Sequence, residues 1–234
     1  STTKILTSLI AIKYGDANSV RKVGDEVIIN ENNVVMCDFR QGDLIPFDIA
    51  IHGALMKSGN DAAAVLALFA ADNMSDAALM NKEAKSLGAT ESNFVNPHGL
   101  YNDNHYTTVY DLYLIFNEAI KYSKFVDTLS CMKYTGSFTR KTAYGDYSIG
   151  CSYTNSNGFL TGSYATPDGI KVYGGKAGYT EVARRSYVML AESNNGHKYI
   201  IITMRAESNS LMYKDLSALL NKIPVDKKSY ADNE

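Results

Sequence analysis

Apolar positions along the chain change period several times, and each change marks an element. Ile5, Leu6, Leu9, Ile10 and Ile12 recur at helical spacing, so residues 1 to about 14 read as a buried helix. Val27-Ile28-Ile29 and Val34-Val35-Met36 flank the polar run Asn30 to Asn33 and predict a small surface hairpin. Pro46 suits the first turn of a helix whose apolar face is Ile49, Leu55 and Met56; Lys57-Ser58-Gly59-Asn60 breaks it. From Asp61 a second helix is apolar nearly all round, which predicts burial, and a third covers about 75 to 87, stopped by Gly88. Thr107 or Thr108 caps a helix running to about Tyr122, with Val109, Leu112, Ile115, Phe116 and Ala119 inward.

Residues 130 to 166 carry Tyr, Ser, Thr, Asn and Gly without period and read as loop. The last third differs. Lys171 to Tyr179, Ser186 to Ala191 and Tyr199 to Met204 read as three strands, the last two joined by the turn Asn194-Asn195-Gly196, and a helix follows from Ser208 to Leu220. Helices followed by strands and a closing helix predict an α+β chain with an antiparallel meander. Ile200 to Ile202 form a continuous apolar run, as in a central strand covered on both faces, yet this stretch offers only one neighbour. A flat apolar edge invites aggregation, so a further strand is expected beside it, with sequence ahead of Ser1 as its source.

With 234 residues the chain suffices for one large domain or two lobes sharing a core. A net charge of -2 gives no nucleic-acid footprint, and no run is long and apolar enough to span a membrane, so membrane association is expected only through segments outside this sequence. The three cysteines (Cys37, Cys131, Cys151) are too few for a disulfide scaffold and lack metal-binding spacing; three free thiols are expected, with no metal and no cofactor. His98 and His105 flank Asn102-Asp103-Asn104, but structural hydrogen bonding explains them better than metal ligation. The seventeen tyrosines, dense from Tyr134 to Tyr173, suit a peptide groove or an ordinary amphipathic surface equally.

Three stretches carry chemistry. Ser1 and Lys4 share one face at a helix start, where a hydroxyl and an amine make a nucleophile and base; taken alone, they are a Ser cap and a solvated Lys. Ser58-Gly59-Asn60 and Lys176-Ala177-Gly178 complete a set. Ser-x-x-Lys, Ser-Asp-Asn and Lys-Thr-Gly together are the motifs of class A β-lactamases and penicillin-binding proteins. The chain resembles the serine D-alanyl-D-alanine carboxypeptidases, the low-molecular-mass penicillin-binding proteins. Further landmarks stand in that family's order: Ser58 to Ala63, Met80-Asn81 before Leu87-Gly88, Asn96-Pro97-His98-Gly99-Leu100, and Gly175 to Thr180. The likeness runs from Ser1 to about Leu220.

The resemblance implies a β-lactamase/transpeptidase-like fold, an antiparallel sheet flanked by helices plus a mostly helical lobe. The catalytic domain would span 1–224, with the helical lobe about 1–125, the sheet lobe about 165–222, and a tail at 225–234. It implies Ser1 as nucleophile, Lys4 as base, Ser58 as proton carrier, Asn60 as a partner of Lys4 or substrate, and Lys176 as a second cation. Gly178 lets a substrate approach the strand, and the backbone N–H groups of Ser1 and Tyr179 form an oxyanion hole. The implied partners are peptidoglycan stem peptides ending in D-Ala-D-Ala and β-lactams that mimic them, on the outer side of a bacterial membrane.

Two features weigh against a simple transfer. Where the family usually has Thr or Ser, this chain has Ala177, so one hydroxyl expected on the substrate's terminal carboxylate is missing; Arg184 or Arg185 is the candidate to compensate. A weakened relative that only binds cell-wall peptides is therefore the alternative. A β-lactamase is a lesser one, because neither Glu83 nor Glu118 has the Glu-x-x-Leu-Asn context of a deacylating glutamate. Were Ser1 a true terminus, its α-amine could act as base, a reading that leaves the other motifs without a role.

Overall fold

The computed structural model describes residues 1–70 and 76–226. After a turn at Ser1–Thr3 the chain forms α1 (Lys4–Tyr14), β1 (Val20–Lys22), β2 (Leu44–Pro46), α2 (Phe47–His52), α3 (Asn60–Ala67), α4 (Asp76–Ser86), α5 (Val109–Ala119) and α6 (Ser123–Ser130). Then come β3 (Lys133–Thr142), β4 (Gly145–Thr154), β5 (Ile170–Thr180), β6 (Arg184–Ser193), β7 (Lys198–Ala206) and α7 (Asn209–Leu220). The predicted start of the third helix, at 75, lies outside the described residues, as does most of the tail.

The fold is α+β. The meander forms as its pattern predicts, an antiparallel sheet of order β5-β6-β7. Strand β6 explains its own apolar run. Val188 and Leu190 face the larger core, built with α1, α2, α3, α5 and α6, while Tyr187, Met189 and Ala191 face a second core under α7. A strand buried on both sides has no polar alternation to display. In β7, Ile201 joins the second core, and Ile200 and Ile202 pack on the first. Among the described residues β7 pairs only with β6, and its outer edge opens on an apolar hollow with Val109, Tyr110 and Tyr113 of α5 and Leu219 near the end of α7.

Two sequence expectations are overturned. Residues 133 to 154 are not loop: β3 and β4, ten residues each, form a hairpin in a sheet of order β1-β2-β3-β4, while 155 to 166 has no strand, as expected. Most of the hairpin's positions are exposed or half-buried, so no apolar alternation marks them; backbone pairing and the Thr and Tyr content hold the strands. Tyr134 and Tyr153 stack in line with His52 rather than lining a groove, and Tyr164 stacks on Tyr213. Nor do residues 27 to 36 form a hairpin. Val27 ends a short 3-10 turn, and the chain from 28 to 40 has no strand. Its backbone finds partners elsewhere: the fully buried Asp61 carboxylate accepts from Cys37 N at 2.8 Å and Phe39 N at 3.0 Å, and Val35 O accepts from Asn60 N at 2.9 Å. The helix at 108 is capped by Thr108, as expected, but ends at Ala119, and α6 follows as a separate helix.

Asp61 therefore ties the 35–39 loop to the start of α3, and α3 begins at the functional cleft. Asp61→Ala strands three buried N–H groups, those of Cys37, Phe39 and Ala62, a loss of about 3 kcal/mol at the low end of ~1–3 kcal/mol per orphaned group. At about 2–4 °C per kcal/mol for a chain of this size, Tm falls by roughly 6–12 °C in differential scanning calorimetry. A fall under about 2 °C would mean the loop is held by other contacts.

Candidate active site

The first turn of α1 delivers Ser1 and Lys4 to one spot, as their spacing requires. Lys4 has no solvent exposure, and its ammonium donates to Ser1 Oγ at 2.9 Å, Asn60 Oδ1 at 2.8 Å and the His98 carbonyl at 2.7 Å. Those acceptors come from three distant parts of the chain. No carboxylate lies within ion-pair distance among the described residues. Burial is the main force holding the Lys4 ammonium well below its ordinary range; the nearby Lys176 pushes the same way, and Cys37 and Asp61 oppose it.

The segment between α2 and α3 is built for position. Gly53–Lys57 winds as one π-type turn, and Ser58 follows in the left-handed region at φ 66°, a conformation rare for a residue with a Cβ. Gly59 cannot be larger: a Cβ there would lie 2.5 Å from Cys37 Sγ. This sharp exit points the Ser58 hydroxyl at the sheet, where Lys176 Nζ donates to Ser58 Oγ at 2.8 Å and to the Ala177 carbonyl at 2.8 Å. Lys176 is 3% exposed, and burial lowers its ammonium to about 7.

Strand β5 forms the opposite wall. Its pairing side is taken by β6, and the backbone at Gly178 passes so close to the start of α1 that an added Cβ would lie 3.0 Å from Thr2 N and 3.3 Å from Ser1 N. Ser1, Ser58, Asn60, Lys176, Ala177, Gly178 and Tyr179 all line one cleft of about 290 Å3. The structure thus brings together every predicted catalytic residue, with Lys4 just beneath the floor.

Arg184 is the exception. It opens β6 just after the β5–β6 turn, at φ 60°, and lies with Arg205, Thr2 and Thr3 along an adjoining hollow. Its neighbour Arg185 enters the cleft instead. The cleft also contains Val34 and Val35 of the irregular loop, Tyr187 of β6, and Asn209 and Met212 of α7, none of which the sequence motifs marked. Only β-strand register and the packing of α7 bring the last three there. Asn155 and Asn157 are spent on structure: Asn155 Nδ2 donates to the carbonyls of Leu129 and Cys131, and Asn157 Nδ2 to Tyr187 Oη.

The remaining polar candidates also have structural work. His105 Nε2 meets Thr3 Oγ1 at 2.7 Å and its Nδ1 accepts from Val95 N; His98 Nδ1 accepts from Leu100 N. Burial lowers both imidazoles to about 4, so they are neutral at pH 7. Glu83 is buried behind α1 with Lys13 and Tyr14, and Glu118 pairs with Lys121 at the surface; neither lines the cleft. Cys37, Cys131 and Cys151 are free thiols, and burial pushes Cys37 up to about 12, leaving it inert.

A family model described as D-alanyl-D-alanine carboxypeptidase, peptidase S11, matches residues 1–208. The D-alanyl-D-alanine carboxypeptidase DacF of Bacillus subtilis (strain 168) is 30% identical over 205 residues, 84% of this chain and 48% of that protein. The D-alanyl-D-alanine carboxypeptidase of Streptomyces sp. (strain K15) is 28% identical over 222 residues, 89% of this chain and 72% of that protein. The chain thus spans about half the length of the Bacillus relative. Among solved structures, the Streptomyces K15 DD-transpeptidase shares the fold at a TM-score of 0.80 and 24% identity, covering 94% of this chain and 85% of that one. A D-alanyl-D-alanine carboxypeptidase from Mycobacterium tuberculosis H37Rv superposes at a TM-score of 0.75 and 26% identity, over 94% of this chain and 79% of that one. With the family match covering residues 1–208, this chain belongs to the D-alanyl-D-alanine carboxypeptidase family.

Proposed function

We propose that the chain is the catalytic domain of a serine carboxypeptidase that removes the terminal D-alanine from peptidoglycan stem peptides through an acyl-serine intermediate. The observation that carries this reading is Lys4: a buried amine, unpaired with any carboxylate and 2.9 Å from the Ser1 hydroxyl. A serine hydroxyl is a weak nucleophile until a base takes its proton, and a lysine serves only when its charged form is disfavoured. Burial beside Lys176 supplies that condition.

In this reading neutral Lys4 accepts the Ser1 proton as Oγ attacks the penultimate carbonyl. The backbone N–H groups of Ser1 and Tyr179 hold the oxyanion, each donor worth roughly 10²–10³ in rate. Ser58 hands its proton to the leaving D-alanine amine and regains one from the Lys176 ammonium bonded to it, and Asn60 keeps the Lys4 side chain aimed. Water then releases the acyl group from Ser1. A β-lactam ring offers the same carbonyl to Ser1, and with no Asp or Glu lining the cleft among the described residues to activate water, release of the acyl group from Ser1 is slow. The substrate places the protein on the cell-wall side of the membrane; no helix among the described residues is long and apolar enough to cross one. Ala177 removes one hydroxyl from the cleft and supports the second reading, a weakened relative that binds cell-wall peptides.

Incubation with benzylpenicillin is expected to add one drug mass to the intact protein, an adduct absent in Ser1→Ala. No adduct on the unsubstituted protein would favour the binding-protein reading. The pH profile is a separate test. kcat/KM is expected to fall as pH rises through about 7, where Lys176 loses its proton. Lys176→Arg, whose guanidinium stays charged, removes the falling limb up to about pH 9. A rate that stays flat from about pH 6 to 9 in the unsubstituted protein would remove the Lys176 charge from the mechanism.

A further inference from the structure

A carboxypeptidase must recognise a free C-terminal carboxylate, and Ala177 offers that group nothing. We infer that Arg185, held by Tyr179 and Asn209, binds the substrate's terminal carboxylate and sets the preference for a free C-terminus; the inference rests on the acyl-serine reading above.

The charges of the cleft come first. Its lining contains Lys57, Lys176 and Arg185 and no Asp or Glu, although the whole chain has a net charge of -2. Such a cleft draws an anionic ligand. Of the three cations, Lys176 is buried with its ammonium already bonded to Ser58 Oγ and the Ala177 carbonyl, and Lys57 is on the opposite wall, at the end of the turn before Ser58. Arg185 is the cation on the wall that carries Ala177.

Strand register fixes its place. Tyr179 pairs with Arg185 and Ala177 with Tyr187, so all four side chains share one face of the sheet. Arg185 is the diagonal neighbour of Ala177, about 7–8 Å away between backbones, a span an arginine side chain covers. The guanidinium carbon lies 4.6 Å from the Tyr179 ring centroid, and Nη1 donates to Asn209 Oδ1 at 3.4 Å. No acidic side chain pairs with it among the described residues. One N–H is engaged by a neutral partner, the planar group is fixed against an aromatic face, and the other donors remain for a bidentate carboxylate. Arg184, turned into the adjoining hollow, is the built-in control.

The experiment compares two peptides, N-acyl-L-Lys-D-Ala-D-Ala and its C-terminal amide, on the unsubstituted chain and on Arg185→Gln, Arg185→Lys and Arg184→Gln. Arg185→Gln is expected to lower kcat/KM for the free acid by about 10- to 100-fold, mainly through KM, while leaving the amide unchanged, so the preference for acid collapses. Arg185→Lys keeps the charge without the fork and restores part of it. Arg184→Gln leaves both substrates as they were. An unchanged acid rate in Arg185→Gln overturns the assignment, and so does an equal loss on acid and amide, which would mark a structural role. In either case turnover and penicillin acylation of the unsubstituted chain still uphold the acyl-serine reading. Absence of both in the unsubstituted chain overturns the two together.

Discussion

An ammonium buried without a counter-charge is the constraint on which this structure depends. Desolvating a charge is expensive, and a protein that does so must either neutralise the group or surround it with acceptors. Lys4 has three acceptors, and they come from Ser1, Asn60 and His98. Satisfying one side chain thus brings together the start of α1, the start of α3 and the Asn96–Leu100 turn. The same burial depresses the Lys4 ammonium, so the contact that organises the fold locally also favours the neutral amine.

The supporting parts follow from that arrangement. Helix α1 is buried from Lys4 through Ala11 because it runs through the larger core, which leaves Lys4 no path to water. The left-handed Ser58 and the π-type turn before it are local strain, held by the packing of Gly59 against Cys37 and by the grip of Asp61 on the loop above. Across the cleft, Gly178 lets β5 approach the start of α1 closely. Ala177 changes the polar lining of that strand without disturbing its path, since register and bulge are set by pairing with β6.

Much of this was legible in the sequence, because it rests on local chemistry. Ser1 and Lys4 are one helical turn apart whatever surrounds them. The Thr108 and Ser208 caps, the Gly88 stop and the Asn194-Asn195-Gly196 turn each follow from residues whose backbone preferences are strong. The β5-β6-β7 meander was readable because β6 and β7 carry apolar runs joined by a turn signal, and the three motifs were readable together because their order is far more specific than any one of them.

What only the tertiary structure decided is where non-local partners fall. The β3–β4 hairpin has too little buried apolar surface to mark its period, so its sequence looks like loop until the two strands pair. Val34 and Val35 look like a strand, yet Asp61 and Asn60 take the backbone bonds that a partner strand would have made. Adjacent arginines cannot be told apart by composition; the β5–β6 turn sends Arg184 one way and Arg185 into the cleft, and α7 brings Asn209 to meet it. The sequence by itself determined which reactive groups are available and which of them stand a turn or a motif apart, since reactivity belongs to residue type and short spacing. The tertiary structure decided their charge state and their company, since burial and contacts between distant segments exist only once the chain has folded.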